Sequence, residues 1–352
     1  MKTWLVFLAC LFWLFEAVGL DRPACATVVL KYASTTPSVG FVADQERKLA
    51  NEIEKRTQGR VKLQIYFGGS LLKIPEGLEG VSKGIADIAL IPQNWFPSQI
   101  PLGAATQYIH VGPPIDKLKD PIQAGRAMWK LWDNYAPLRE ELHKWGVTIF
   151  SVRTMPSYQM WSKVPIRSLS DLKGLRVREL GIRGKIMFAS YGAIPVTLTP
   201  AEMYSALQKG LVDVVCASLD WGELYKLKEV APHLVLMYSN PGAPYYIINA
   251  NSLKKLSKDD QETVLKIGRD FTETYALALR TYLEGLIEQY RREGVRITEF
   301  TDREKWRREA EPKLLEATVE ELKKYAPEDH LRKVIELFLD YMGGGDVVPW
   351  RR

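Results

Sequence analysis

Histidine and cysteine are the scarce residues of this 352-residue chain, with four of the first and three of the second. His110, His143, His233 and His330 stand apart, with no pair at metal-ligand spacing, so no metal site is expected. No glycine loop followed by Lys-Ser or Lys-Thr occurs, and neither GxGxxG nor GxSxG is present. The local signs of nucleotide binding and of a hydrolase nucleophile are therefore missing, and no cofactor is expected. Cys216 closes an apolar run with no histidine nearby in sequence, which reads as a buried inert thiol. Because triads can be assembled from distant residues, these absences lower the enzyme reading without removing it.

Long one-sign charge runs are missing too. The net charge of +6 comes from 48 basic and 42 acidic residues, and they mix in clusters such as Glu52-Ile53-Glu54-Lys55-Arg56 and Glu320-Glu321-Leu322-Lys323-Lys324. Such clusters are solvated helix faces, and no nucleic-acid partner is expected. A mildly basic surface suits the steering of an anionic ligand. Hydrophobic residues at 46% and charged residues at 26% describe a globular chain, long enough for two domains.

The one long apolar stretch is N-terminal. Lys2 precedes an apolar run from Trp4 to Phe15, ended by Glu16. It is short for a membrane span, which favours a signal peptide over residues 1–26. Small-residue sites offer cleavage after Ala26, the preferred one, or after Gly19. Neither Cys10 nor Cys25 sits in a lipoprotein box. Cleavage after Ala26 leaves Cys216 alone and allows no disulfide; cleavage after Gly19 would leave Cys25 as a conceivable partner. The expected location is the periplasm.

Beyond Ala26 the chain alternates between strand and helix. Residues 28–32, 61–67, 85–91, 147–152, 175–179, 212–217 and 245–248 read as strands. Residues 42–56, 75–83, 118–144, 182–191 and 200–209 read as helices. Residues 257–294 form one long helix with Asp259 and Asp260 in its first turn, as the helix dipole favours. Residues 303–341 read as charged amphipathic helix, and the tail from Gly343 as loose. The alternation predicts α/β architecture. Chain crossings between two blocks are expected near residues 153–161 and 240–246, with the long helix bridging them.

One strand carries chemistry. Arg176 and Arg178 point the same way on it, and Arg178 lies at its carboxyl end, where open α/β sheets present their ligand groups. A guanidinium there offers a planar fork for a carboxylate. The bland alternative is a surface arginine paired with a neighbouring glutamate.

The surrounding residues, Asp171-Leu172-Lys173-Gly174-Leu175-Arg176-Val177-Arg178, then Gly192-Ala193-Ile194-Pro195-Val196, then Glu202-Met203-Tyr204-Ser205-Ala206-Leu207-Gln208-Lys209-Gly210-Leu211-Val212-Asp213, resemble the solute-binding proteins of tripartite ATP-independent periplasmic (TRAP) transporters of the C4-dicarboxylate-binding type. Glu54 to Val61, Gly84 to Ala89 and Leu253 to Ser257 extend the resemblance, which runs in order from about Val28 to Leu337. It implies two α/β domains of the periplasmic-binding-protein type (class II-like) with a long domain-spanning helix. On this reading residues 27–155 plus 242–283 form the first domain, and residues 156–241 plus 284–352 the second. It further implies a cleft that closes on a small organic acid, with Arg178 as carboxylate anchor, and membrane subunits of a TRAP transporter as partners.

Three positions depart from sialic-acid-type members: Tyr158 and Ala217 replace an arginine and an asparagine, and Pro92 replaces an acidic residue. This argues against sialic acid and hydroxylated sugar acids. Aromatic residues gather instead: Trp95, Tyr158, Trp161 and Trp221. They suggest a flat pocket for an aromatic or hydroxy carboxylate. Asn94, Arg153 and Ser218 complete the candidate set, with Arg153 or Arg183 next in line as anchor. A periplasmic enzyme on small acids and a ligand-sensing module are the alternatives.

Overall fold

Two sheets share the chain, and each borrows a strand from the path of the other. The structure is a computed structural model that describes residues 27–108, 120–179, 184, 186–239 and 242–351. The predicted signal peptide, His110 and Arg183 lie outside the described residues.

The first sheet has the order β2-β1-β3-β10-β4, from β1 (Val28–Ala33), β2 (Val61–Tyr66), β3 (Ile88–Ile91), β4 (Val147–Val152) and β10 (Tyr245–Asn249). β1 runs parallel to β2 and β3, and β10 runs antiparallel between β3 and β4. The second sheet has the order β11-β9-β5-β8-β6-β7, from β5 (Tyr158–Ser162), β6 (Arg176–Arg178), β7 (Ile194–Val196), β8 (Val214–Ser218), β9 (His233–Ser239) and β11 (Arg296–Glu299). Here β5 is the antiparallel strand, between β8 and β9. The antiparallel member of each sheet is the strand that arrives from the other one: β4 leads into β5, and β9 leads into β10. The carboxyl ends of the remaining strands therefore meet at the two crossings. Both crossings fall where the sequence places them.

Between the strands lie α1 (Phe41–Arg56), α2 (Gly77–Ser82), α3 (Pro101–Ala105), α4 (Asp120–Asn134), α5 (Ala136–His143), α6 (Met203–Gln208), α7 (Leu219–Leu224), α8 (Ala250–Leu253), α9 (Lys258–Arg292), α10 (Arg303–Leu322) and α11 (Glu328–Met342). The long predicted helix is α9, whose 35 residues extend about 50 Å at 1.5 Å each. The Ser257 hydroxyl accepts from the Asp260 amide at its start. Its buried stripe, Val264, Ile267, Phe271, Tyr275, Leu279, Leu283, Leu286 and Tyr290, steps by three or four residues. That stripe shares one core with Leu30, Tyr32 and Phe150 of the first sheet and with Trp161, Val215 and Leu234 of the second. Gly268 lets the helix approach β4, since a Cβ there would fall 2.3 Å from the Phe150 carbonyl oxygen.

Four expectations are corrected. Residues 118–144 are not one helix. Pro137 stands in the first turn of α5, and its ring would clash with the carbonyl four residues back, so the chain breaks at Tyr135. Residues 303–341 are likewise two helices, with Pro327 capping the second. α11 does not join the second block. α10 starts against the second sheet through Trp306, Ala310 and Leu314 but ends in the first core through Leu315, Val319 and Leu322. It therefore delivers α11 onto the first core, where Val334, Ile335 and Phe338 are buried. The tail is not loose: Val347 and Val348 are buried, Asp346 pairs with the buried Arg307, and Arg351 pairs with Asp340. The helix predicted over 182–191 lies partly outside the described residues; its end, Ala189–Tyr191, is a 3-10 turn.

Candidate functional site

The carboxyl edges of the two sheets define the site. In the second sheet, Arg178 ends β6 and is completely buried. Its Nε donates to the Leu198 carbonyl at 3.1 Å and its Nη1 to the Cys216 carbonyl at 3.0 Å. Its Nη2 is buried with no hydrogen-bond partner among the described residues. Two carbonyls thus fix the fork and leave one donor arm unclaimed. Two residues earlier, Arg176 lies on the surface, gripping Asp213 through Nε at 3.0 Å and Nη2 at 2.7 Å. That pair holds the Asp213 carboxyl below its ordinary range.

Tyr158 opens β5 opposite Ser218 and Ser239, so all three sit on the same edge as Arg178. The Tyr158 and Trp221 rings are 6.0 Å apart, and Trp221 makes an edge contact with Tyr225. Ser218 is buried and precedes α7. Trp161 is not brought to this edge. Three residues into β5, it is fully buried, meets Tyr290 edge-on at 5.1 Å and occupies the space a Gly222 side chain would fill. It is a core residue, because β5 turns that face toward α7 and α9.

In the first sheet, Asn94 and Trp95 lie in a turn after β3. Both are exposed, Trp95 by 55%. Arg153 follows β4, half-buried, with its backbone amide donating to the Pro244 carbonyl at 2.9 Å. Its side-chain surroundings were not legible in the sequence. Glu46 of α1 is buried and accepts from the Tyr32 hydroxyl at 2.7 Å, the Ser34 hydroxyl at 2.7 Å and the Tyr246 hydroxyl at 3.0 Å. Burial weighs against the Arg153 charge, but Tyr275, Tyr246, Glu46 and Tyr32 outweigh it and raise its pKa. Burial raises the pKa of Asp220, in the first turn of α7, against the Ser218 hydroxyl and the Arg153 charge. One sign for Glu46 was present: it sits three residues before Leu49 and seven before Ile53 on the apolar stripe of α1, where an unpaired acid is costly.

Buried polar atoms without partners are rare in folded proteins. Five of the ten such side-chain atoms among the described residues lie at or beside the crossings: Arg153 Nε, Thr154 Oγ1, Ser157 Oγ, Arg178 Nη2 and Asp220 Oδ1. Such a set suits a polar solute better than an apolar one. The three described histidines lie elsewhere. His143 is in α5 and His330 in α11, where it meets the Tyr135 hydroxyl at 2.6 Å, and His233 is at the far end of β9. Among the described residues, no group of three metal-ligating side chains is assembled and no helix is long and apolar enough to cross a membrane. Cys216 is buried within β8, as its setting in the sequence suggests.

A family model for bacterial extracellular solute-binding proteins, family 7 (DctP), matches residues 33–321. The chain belongs to this family. Like the other members of family 7, it is a solute-binding receptor. The sialic acid-binding periplasmic protein SiaP of Vibrio cholerae is 25% identical over 277 residues, covering 78% of this chain and 84% of that protein. The fold is shared with a TRAP periplasmic solute-binding protein of Desulfovibrio salexigens, at a TM-score of 0.77 and 24% identity over 90% of this chain and 96% of that one. A TRAP periplasmic solute-binding protein of Rhodoferax ferrireducens, solved with bound malonate, has a TM-score of 0.67 at 21% identity over 89% of this chain and 98% of that one. The resemblance read from residues 171–213 thus holds for the family, and the two-part α/β fold with its long helix holds with it.

Proposed function

We propose that this family 7 receptor captures a small organic carboxylate in the periplasm, after removal of its signal peptide, and passes it to the membrane subunits of a TRAP transporter without chemical change. The observation that carries the reading is Arg178: a fully buried guanidinium at a sheet edge with one arm unclaimed. A buried charge of this kind is compensated by an opposite charge, and a carboxylate fits its fork. Malonate and sialic acid, named for the two relatives above, are both carboxylates.

The aromatic pair Tyr158–Trp221, with Trp95 and Asn94 beyond the end of β3, favours a small aromatic or hydroxy carboxylate over a polyhydroxylated sugar acid. Ser218 adds a hydroxyl on the same edge as Arg178. The two binding domains follow the two sheets, with the division inside the crossings at residues 153–157 and 240–244.

A thermal-shift series with malonate, pyroglutamate, glucuronate, sialic acid, mandelate and benzoate tests the reading. At least one acid should raise the melting temperature in a concentration-dependent way and be recovered intact. Failure of every carboxylate to stabilise the protein, with stabilisation by neutral solutes, would defeat it. Recovery of a converted acid would favour the enzyme alternative, and N-terminal sequencing of exported protein tests the cleavage after Ala26.

A further inference from the structure

Two of the unclaimed groups flank the crossings from opposite sides and have complementary chemistry. Arg153 follows β4 of the first sheet; Asp220 follows β8 of the second. Among the described residues, Arg153 Nε is a buried donor without a partner, and Asp220 Oδ1 is a buried acceptor without one. On its own side Arg153 reaches the Thr36 hydroxyl, at 3.5 Å through Nη1. Glu46, the nearby acid of that side, is already committed to three hydroxyls. Asp220 senses the Arg153 charge, yet each retains an atom that the other does not satisfy. α9 packs against both sheets, and its Tyr275 lies beside Arg153.

We infer that Arg153 and Asp220 are positioning residues that form an ion pair across the crossings when the sheets approach, and that this pair stabilises the closed arrangement of the receptor. Hinge closure needs little backbone change. It is favoured by whatever contact exists only in the closed state. A charge pair with both unclaimed atoms already out of water meets that condition, because most of the desolvation is present before closure.

The test uses ligand-free protein. Spin labels on p-acetylphenylalanine at Lys55 and Lys209, both exposed, report the distance between the parts by pulsed dipolar spectroscopy. Arg153→Gln and Asp220→Asn should each reduce the short-distance population about fivefold, and the double variant should fall no further, as expected for coupled groups. Arg153→Lys, which keeps the charge, should retain the population within about twofold. Melting temperatures identify variants that fail to fold; should Arg153→Gln be one, Arg153→Lys and Asp220→Asn still carry the comparison. An unchanged distance distribution across the set overturns the inference. So do single effects that add in the double variant, which would mean that each group awaits a separate partner. Since no acid is present, either result leaves the carboxylate reading to its own experiment.

Discussion

At the edge of the second sheet, Arg178 is held by two carbonyl oxygens and has no acid paired with it among the described residues. At the edge of the first, Arg153 lies among Glu46 and the hydroxyls of Tyr32, Tyr246 and Tyr275. Both are arginines just beyond a strand's carboxyl end or at it, and both have an unclaimed nitrogen. The difference is in the compensation. Around Arg153 the protein supplies negative charge itself. Around Arg178 the described residues supply carbonyl dipoles that orient the fork. An arginine whose surroundings fix its geometry but not its charge is prepared for an anion from outside. One whose surroundings already contain acids is prepared for a task within the protein.

The strongest attack on this contrast is Arg178→Ala. Removing one member of a buried charge pair costs about 3–5 kcal/mol, so carboxylate affinity should fall by roughly two to three orders of magnitude in titration calorimetry. Arg178→Lys should recover little, because an ammonium lacks the fork. Affinity within about threefold of the parent would end the assignment and move the anchor to Arg153.

The next contrast is between two tryptophans. Trp161→Ala empties a core position and should cost about 3–5 kcal/mol of stability in denaturant unfolding. Trp221→Ala should cost less than about 2 kcal/mol, since its ring is only partly buried, but should reorder the ranking of acids in the thermal-shift series. Trp95→Ala should affect ranking alone. If Trp161→Ala reorders ligands at unchanged stability, its place in the core is refuted.

The smallest effect concerns Arg176, the paired neighbour of Arg178. Asp213 is held below its ordinary range by Arg176. Its stabilising contribution is therefore present above the unfolded carboxylate range and lost as pH falls through and below it. Both partners are partly exposed, so Asp213→Asn should lower Tm by only roughly 1–2 °C at neutral pH. The difference between variant and parent should vanish in acid. A difference that grows in acid would contradict the pairing.

The order of strands and helices was legible because apolar periodicity is local: α9 declares itself through a stripe from Val264 to Tyr290, and β6 through the glycine turn before Arg176. Arg178 was legible because strand direction alone puts it at a carboxyl edge. Trp161 misled because it is an aromatic near a crossing, and its face depends on how β5 enters the sheet, where the pairing with β9 shifts register between Tyr158 and Met160. Glu46 and Tyr246 belong to elements 200 residues apart, and nothing local announces their meeting. The destination of α11 was hidden for a similar reason. Its apolar face fits either core, and only the course of α10 decides which.

The position of β10 also constrains the order in which the molecule can be made. It lies inside the first sheet, between β3 and β4, although almost a hundred residues separate it from β4 in sequence. A chain emerging N-terminus first has β1 to β4 early but cannot join β3 to β4 until Tyr245 to Asn249 arrive. Until then both inner edges of that sheet are open, and open edges recruit strands from other chains. Late, non-local pairing of this kind is slow. During synthesis and passage across a membrane, the first half of the chain should therefore depend on being kept apart from its neighbours until the second half is delivered.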